Sequence, residues 1–156
     1  MEYTVLSGRA EIPCPEGFHI LDEAEKKAMN ITREGEWTGI SDPGRHIVLT
    51  AGCRRAGLAA AILSVKDIAA KAEKDIAKMM KPFGFACGAM EERMIGGKKA
   101  CGFSYTYTAQ DIPMYGDYWT VKDGNEIFDF HAYSRQALQE ESKACIGGIL
   151  DAVKWK

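Results

Sequence analysis

The chain has 156 residues, 46% hydrophobic and 27% charged, with 20 Lys and Arg against 22 Asp and Glu for a net charge of −2. That length predicts one domain over residues 1–156, with apolar material enough for a core that needs neither disulfides nor metal. The balance excludes a disordered chain, and the short, interleaved basic pairs argue against nucleic-acid binding.

The five cysteines, Cys14, Cys53, Cys87, Cys101 and Cys145, are widely spaced and form no Cys-x-x-Cys pair. They predict reduced thiols in a cytoplasmic protein rather than a disulfide framework or zinc site. The start, Met1-Glu2-Tyr3-Thr4, lacks the basic and apolar segments of an export signal. The longest apolar run, Leu58 to Leu63, is far short of the ~20 residues that cross a bilayer, so no membrane partner is expected.

Tyr3 to Pro13 reads as two short strands around Ser7-Gly8. Asp22 then caps a short helix over Glu23 to Met29, acids first and Lys26-Lys27 last, as the helix dipole favours. Residues 30–45 read as a loop, with Asp42-Pro43-Gly44-Arg45 suiting a type II turn. His46 to Ala51 reads as a buried strand.

The clearest helix runs from Ser64 to about Lys81. Ser64 and Asp67 form a capping-box pair, and Val65, Ile68, Ala69, Ala72, Ile76 and Met79 recur at helical spacing. Pro82 and Gly84 stop it.

A four-strand meander follows: Phe85 to Ile95, Lys98 to Ala109, Met114 to Lys122 and Glu126 to Tyr133. Its turns fall at Gly96-Gly97, at the Gln110-Asp111-Ile112-Pro113 break, and at Asp123-Gly124 or Gly124-Asn125. Ser134 caps a last helix to about Trp155, with Leu138, Cys145, Ile149 and Val153 as its buried stripe. Gly147-Gly148 within it suggests close approach of helix to sheet. Antiparallel strands in sequence followed by a terminal helix define an α+β fold.

This order resembles the PsbP-like superfamily. That group includes an extrinsic protein of photosystem II, a yeast Ran-binding nuclear-import factor and many uncharacterised bacterial proteins. The residues that carry the resemblance are Ile12-Pro13-Cys14-Pro15-Glu16-Gly17-Phe18, the Ser64-Val65-Lys66-Asp67 cap, and Gly96-Gly97 leading into Gly102-Phe103-Ser104-Tyr105. The aromatic closing strand to Tyr133 and the terminal Ile149-Leu150-Asp151-Ala152-Val153-Lys154-Trp155 complete the match. The resemblance implies an antiparallel sheet packed by helices, with binding rather than catalysis as its role. It brings no functional residue with it.

Candidate chemistry falls on few residues. Asp129, His131 and Tyr133 share one face of a strand. A two-residue turn before that strand pairs Trp119 and Val121 with Phe128 and Phe130 on the other face, leaving Tyr118 and Thr120 beside the polar set. A carboxylate near an imidazole can orient a general base; the same pattern also serves as a hydrogen-bonded layer under a helix. Arg45 and His46, at a loop-to-strand junction, offer an anion site or plain turn chemistry. Cys53 beside Arg54-Arg55 is either an activated thiolate or an inert core residue. No spacing links His19, His46 and His131 as metal ligands, and no motif calls for a cofactor.

Phe103, Tyr105 and Tyr107, with Met90 and Met94 across the hairpin, form a stripe that is either core or cavity lining. Tyr115, Tyr118 and Trp119 lie in a dense aromatic patch of the kind that marks interfaces. The leading expectation is therefore a non-enzymatic binding or adaptor domain engaging a protein partner or a second copy of itself. It predicts an exposed, flat patch at Tyr115, Tyr118 or Trp119. The alternative is a small-molecule or hydrolytic site around Asp129, His131, Tyr118 and Tyr133, which predicts a concave pocket and a histidine with displaced titration.

Overall fold

Alternation along the long strands gives the central sheet two different apolar faces, and each face collects its own helix. The computed structural model describes residues 2–29, 31, 33, 35–58 and 62–156. Residues 59–61 of the apolar run, and residues 30, 32 and 34 of the expected loop, lie outside the described residues.

Strands β1 (Glu2–Leu6) and β2 (Ala10–Cys14) form the expected hairpin. A short β3 (His19–Ile20) leads to α1 (Glu23–Ala28), capped by Asp22 and Glu25. Then come β4 (Glu36–Asp42), β5 (Ile47–Arg55) and α2 (Val65–Met80). The Ser64–Asp67 capping box is present in both directions. Two short strands, β6 (Ala86–Cys87) and β7 (Glu91–Ile95), precede the long β8 (Lys98–Ala109), β9 (Ile112–Asp123) and β10 (Glu126–Arg135). The chain ends in α3 (Gln139–Asp151) and β11 (Lys154–Trp155).

All strand pairings among the described residues are antiparallel. The main sheet runs β3-β4-β5-β10-β9-β8-β6 with β7 also on β8, and a small sheet runs β1-β2-β11. Residues opposite one another share a face, so Phe103, Tyr118, His131 and Thr50 point one way while Trp119, Phe130 and Ala51 point the other. The second face joins the small sheet and α3 in one core, with Leu6, Ile12, Leu49, Phe128, Phe130, Ile146 and Leu150. The first face receives α2, where Ile76 packs on Phe103, Tyr105 and Tyr118. The chain is thus α+β with antiparallel sheets and, among the described residues, two longer α-helices and one short one.

Several expected boundaries are corrected. Residues 36–42 form a strand, although Gly35 and Gly39 read as loop. A side chain at Gly39 would come within 2.8 Å of the Leu21 side chain and 3.0 Å of the Leu49 carbonyl, so glycine here serves packing inside a strand. The expected strand from Phe85 to Ile95 is split into β6 and β7, both pairing with β8.

In the β4–β5 connection the left-handed residue is His46, with φ 56°, and not Gly44, so the turn is not type II. Ser134 belongs to β10, and the last helix begins only at Gln139, after a 3-10 turn over Gln136–Leu138. It buries Ser142, Ile146, Ile149 and Leu150. Gly147 and Gly148 mark no close approach: a side chain at Gly147 would meet only the Arg93 guanidinium at 3.7 Å, and one at Gly148 would meet nothing within 4 Å. Met94 is exposed rather than part of the aromatic stripe.

No described helix is long and apolar enough to cross a membrane. All five cysteines are free thiols.

Candidate functional site: a polar-floored cleft beneath the long helix

Helix α2 lies over β8 and β9. It therefore leaves the same face of β10 and β5 uncovered along its flank. A cleft of about 540 Å³ opens there. Its wall is apolar, with Ile68, Ala72, Ile76 and Met79 of α2 and Leu63 before it. Its floor is the strand face carrying Ile127, Asp129, His131 and Tyr133, with Tyr118 beside them. Arg33, Arg54, Lys71 and Asp75 also line it.

The floor is built from two hydrogen-bonded units. In the first, the Tyr118 hydroxyl donates to Asp129 Oδ1 at 2.7 Å. Burial, and then the Asp129 carboxylate, push the Tyr118 phenol well above its ordinary value. In the second, His131 lies between two tyrosines. Its Nε2 bonds the Tyr105 hydroxyl, and its Nδ1 bonds the Tyr133 hydroxyl at 3.0 Å. The imidazole stacks on Tyr133, ring centroids 4.3 Å apart, and meets Tyr118 edge-on at 5.6 Å.

Burial first, and the Arg33 guanidinium second, push His131 down to about 3. The imidazole is thus neutral at physiological pH, so one nitrogen donates and the other accepts. Burial likewise raises Tyr105, and it raises Tyr133 to about 12, against a smaller opposing pull from Arg33.

Arg33 spans the two units. Its Nη1 donates to Thr50 Oγ1 at 2.8 Å, and its Nη2 lies 3.9 Å from Asp129 Oδ2. The guanidinium rests on the backbone of Gly52, where an added side chain would come within 2.6 Å of Nη2. Close approach of a charged group to the sheet is what glycine permits at this position.

The face assignment expected from alternation is the observed one: Tyr118 pairs with His131 and Thr120 with Asp129, while Trp119 pairs with Phe130 and Val121 with Phe128. The structure thus brings Tyr118, Asp129, His131 and Tyr133 into one cleft. It does not bring Arg45 and His46 there. Arg45 Nε donates to Asp42 Oδ2 at 2.6 Å, and the guanidinium also faces Glu141 at 3.6 Å and the Phe18 ring. That hydrogen bond from Arg45 holds the Asp42 carboxyl below its usual range. His46 is exposed in the turn beside it.

The expected flat aromatic patch is absent, because its members are core. Tyr115 is 2% exposed and Trp119 9%. Both belong to the face opposite the cleft, and the Tyr115 hydroxyl donates to Asp117 at 2.9 Å. Tyr118, 7% exposed, shows the cleft only part of its ring.

Cys53 is not activated. Burial and a bond to Glu126 raise it to about 11, because alternation puts it on the opposite face from Arg54. Among the described residues no group of His, Cys, Asp and Glu is placed to hold a metal ion.

Sequence reasoning missed Arg33, Gly52 and the role of Arg54. Arg33 lies in an irregular segment with no local signal. The pairing register of β5 was needed to put Gly52 and Arg54 beside Asp129 and Ile127.

No family model matches the chain, and no curated protein matches it. Solved structures do. A cyanobacterial PsbP from Synechocystis has a TM-score of 0.68 at 10% identity, with 99% of this chain and 92% of that one covered. LpqN of Mycobacterium tuberculosis, described as involved in cell envelope biogenesis, has a TM-score of 0.63 at 16% identity, covering 98% and 90%. The Saccharomyces cerevisiae Ran-binding protein Mog1p has 0.57 at 8%, covering 94% and 84%. The chain has the PsbP-like fold, and this likeness defines its architecture alone.

Proposed function

We propose that residues 1–156 act as one non-enzymatic binding domain and that the cleft beneath α2 is its binding site. The observation that carries this reading is the cleft itself: an apolar helix wall facing a floor of converging polar groups, within the roughly 300–1,000 Å³ range of small-molecule sites. The state of His131 favours binding over hydrolysis. Both ring nitrogens are engaged by tyrosine hydroxyls, and an imidazole held near 3 is a poor proton acceptor at neutral pH.

The test uses N-phenyl-1-naphthylamine, a neutral dye that fluoresces in apolar surroundings. The native protein binds it saturably. Ala72→Trp, which fills the cleft from α2, abolishes the saturable signal while thermal unfolding stays cooperative. Equal dye binding by both proteins would contradict the proposal.

A partner protein, or a second copy of the chain, is the second reading. It is favoured by the exposure of Phe83 at the end of α2, 48% exposed, and by the description of one structural neighbour as a Ran-binding protein. Phe83→Ser lowers the self-association seen by light scattering if that residue is a contact between copies. An unchanged, concentration-independent mass in both proteins argues against the self-association arm.

A further inference from the structure

The charges that line the cleft do not cancel. Lys71 is spent on Asp75 of its own helix at 3.2 Å. Arg33 faces Asp129, but at 3.9 Å, and among the described residues its one side-chain hydrogen bond goes to Thr50. The side chain of Arg54 lines the cleft without a hydrogen bond or ion pair among the described residues. His131 adds no charge, since burial keeps it neutral. Among the described lining residues, the three cations Arg33, Arg54 and Lys71 against the two carboxylates Asp75 and Asp129 leave an excess of one positive charge.

That excess has a location. Arg54 pairs in register with Ile127 on β10, and Arg33 lies over Gly52, two residues along β5. Arg54 thus stands at the Ile127 end of the floor, and Arg33 reaches from Gly52, opposite Asp129, to Thr50, opposite His131. From the Ile127 end the apolar wall of Ala72, Ile76 and Met79 follows α2 across the rings of Tyr118, His131 and Tyr133. A guanidinium carries five N–H donors, and among the described residues the side chain of Arg33, 13% exposed, uses one of them. Unused donors in a half-dry site favour an acceptor that is itself charged and can take two parallel bonds.

We infer that the cleft binds an amphipathic monocarboxylate, with its carboxylate at Arg54 and Arg33 and its apolar body along α2. This rests on the cleft being the binding site. One negative charge neutralises the excess, and the aromatic floor and aliphatic wall take a chain or ring system without leaving polar atoms unpaired.

The experiment displaces the bound naphthylamine dye with decanoate or with decanol, both below their aggregation limits. Decanoate displaces the dye at least about tenfold more effectively than decanol, and its advantage shrinks as salt is added. Arg54→Gln weakens decanoate about tenfold and leaves decanol unchanged. Gly52→Ala, which pushes the Arg33 guanidinium aside without removing it, acts in the same direction. Equal displacement by decanoate and decanol, or an Arg54→Gln protein that keeps the full preference, overturns the carboxylate assignment and leaves the dye-binding cleft standing. Failure of the native protein to bind dye, decanoate and decanol overturns both.

Discussion

His131 is the residue on which the floor of the cleft depends. Its two nitrogens and two phenol partners form a closed set, and burial of such a set is stabilising only while every member is satisfied. The sign of its pH dependence follows from its depressed pKa. The imidazole titrates near 6.5 in an unfolded chain and near 3 in the folded one, so below pH 6.5 the unfolded chain binds the extra proton. Its contribution is fully present above pH 6.5 and is lost as the pH falls toward 3, on the order of a few kcal/mol in all. His131→Phe is therefore less stable than the native protein at pH 7, because two buried hydroxyls lose a partner. Between pH 6.5 and 4.5 its stability falls less steeply than that of the native protein. Urea unfolding at several pH values measures both slopes, and parallel slopes would contradict the account. The alternation of residues 118–133 already put His131 and Tyr133 on one face with Tyr118 and Asp129 in the sequence, whereas Tyr105 belonged to a separate stripe whose register with His131 only the sheet pairing shows. Arg33 was not legible, because its place depends on where an irregular segment crosses the sheet.

At the scale of elements, capping and hydrophobic periodicity were the readable signals. The Ser64–Asp67 box and the Ile68, Ala69 and Ile76 stripe defined α2 almost to its ends. Strands carrying glycine were read less well, since Gly35 and Gly39 mark close packing in and beside β4 and look like punctuation in the sequence. The β8–β9 turn misled in a different way. It consists of Gln110 and Asp111, with φ of 51° and 65°, and β9 starts directly at Ile112. Two consecutive left-handed residues are what a tight hairpin needs, and Asn-Gly satisfies that need with less strain. The double substitution Gln110→Asn with Asp111→Gly is expected to raise stability by about 1 kcal/mol. A lower urea midpoint for that variant would show that the native side chains do more than shape the turn.

The whole molecule is a sheet clamped unequally on its two faces. One face is sealed by α3 and the small sheet, and Arg9 ties the turn after β1 to Asp123 and Glu126 at the β9–β10 hairpin. The other face is covered by α2, by Leu21 over Gly39 and by Arg33 over Gly52, and the cleft opens between them. That asymmetry, rather than any short motif, opens the cleft proposed as the binding site, and it is also why composition and motifs pointed to an exposed aromatic patch instead. Tyr115 and Trp119 looked like surface residues because their neighbours in sequence are turn-like, yet the long β9 carries them into the sealed core. The most direct test is a titration of the ¹⁵N-labelled protein with the neutral naphthylamine dye, followed through its backbone amides. The account predicts saturable shifts gathered at Gly52, Arg54, Ala72, Asp129 and His131, with Tyr115 and Trp119 unmoved. Shifts centred on α3 or the small sheet, or none at saturating dye, would contradict it.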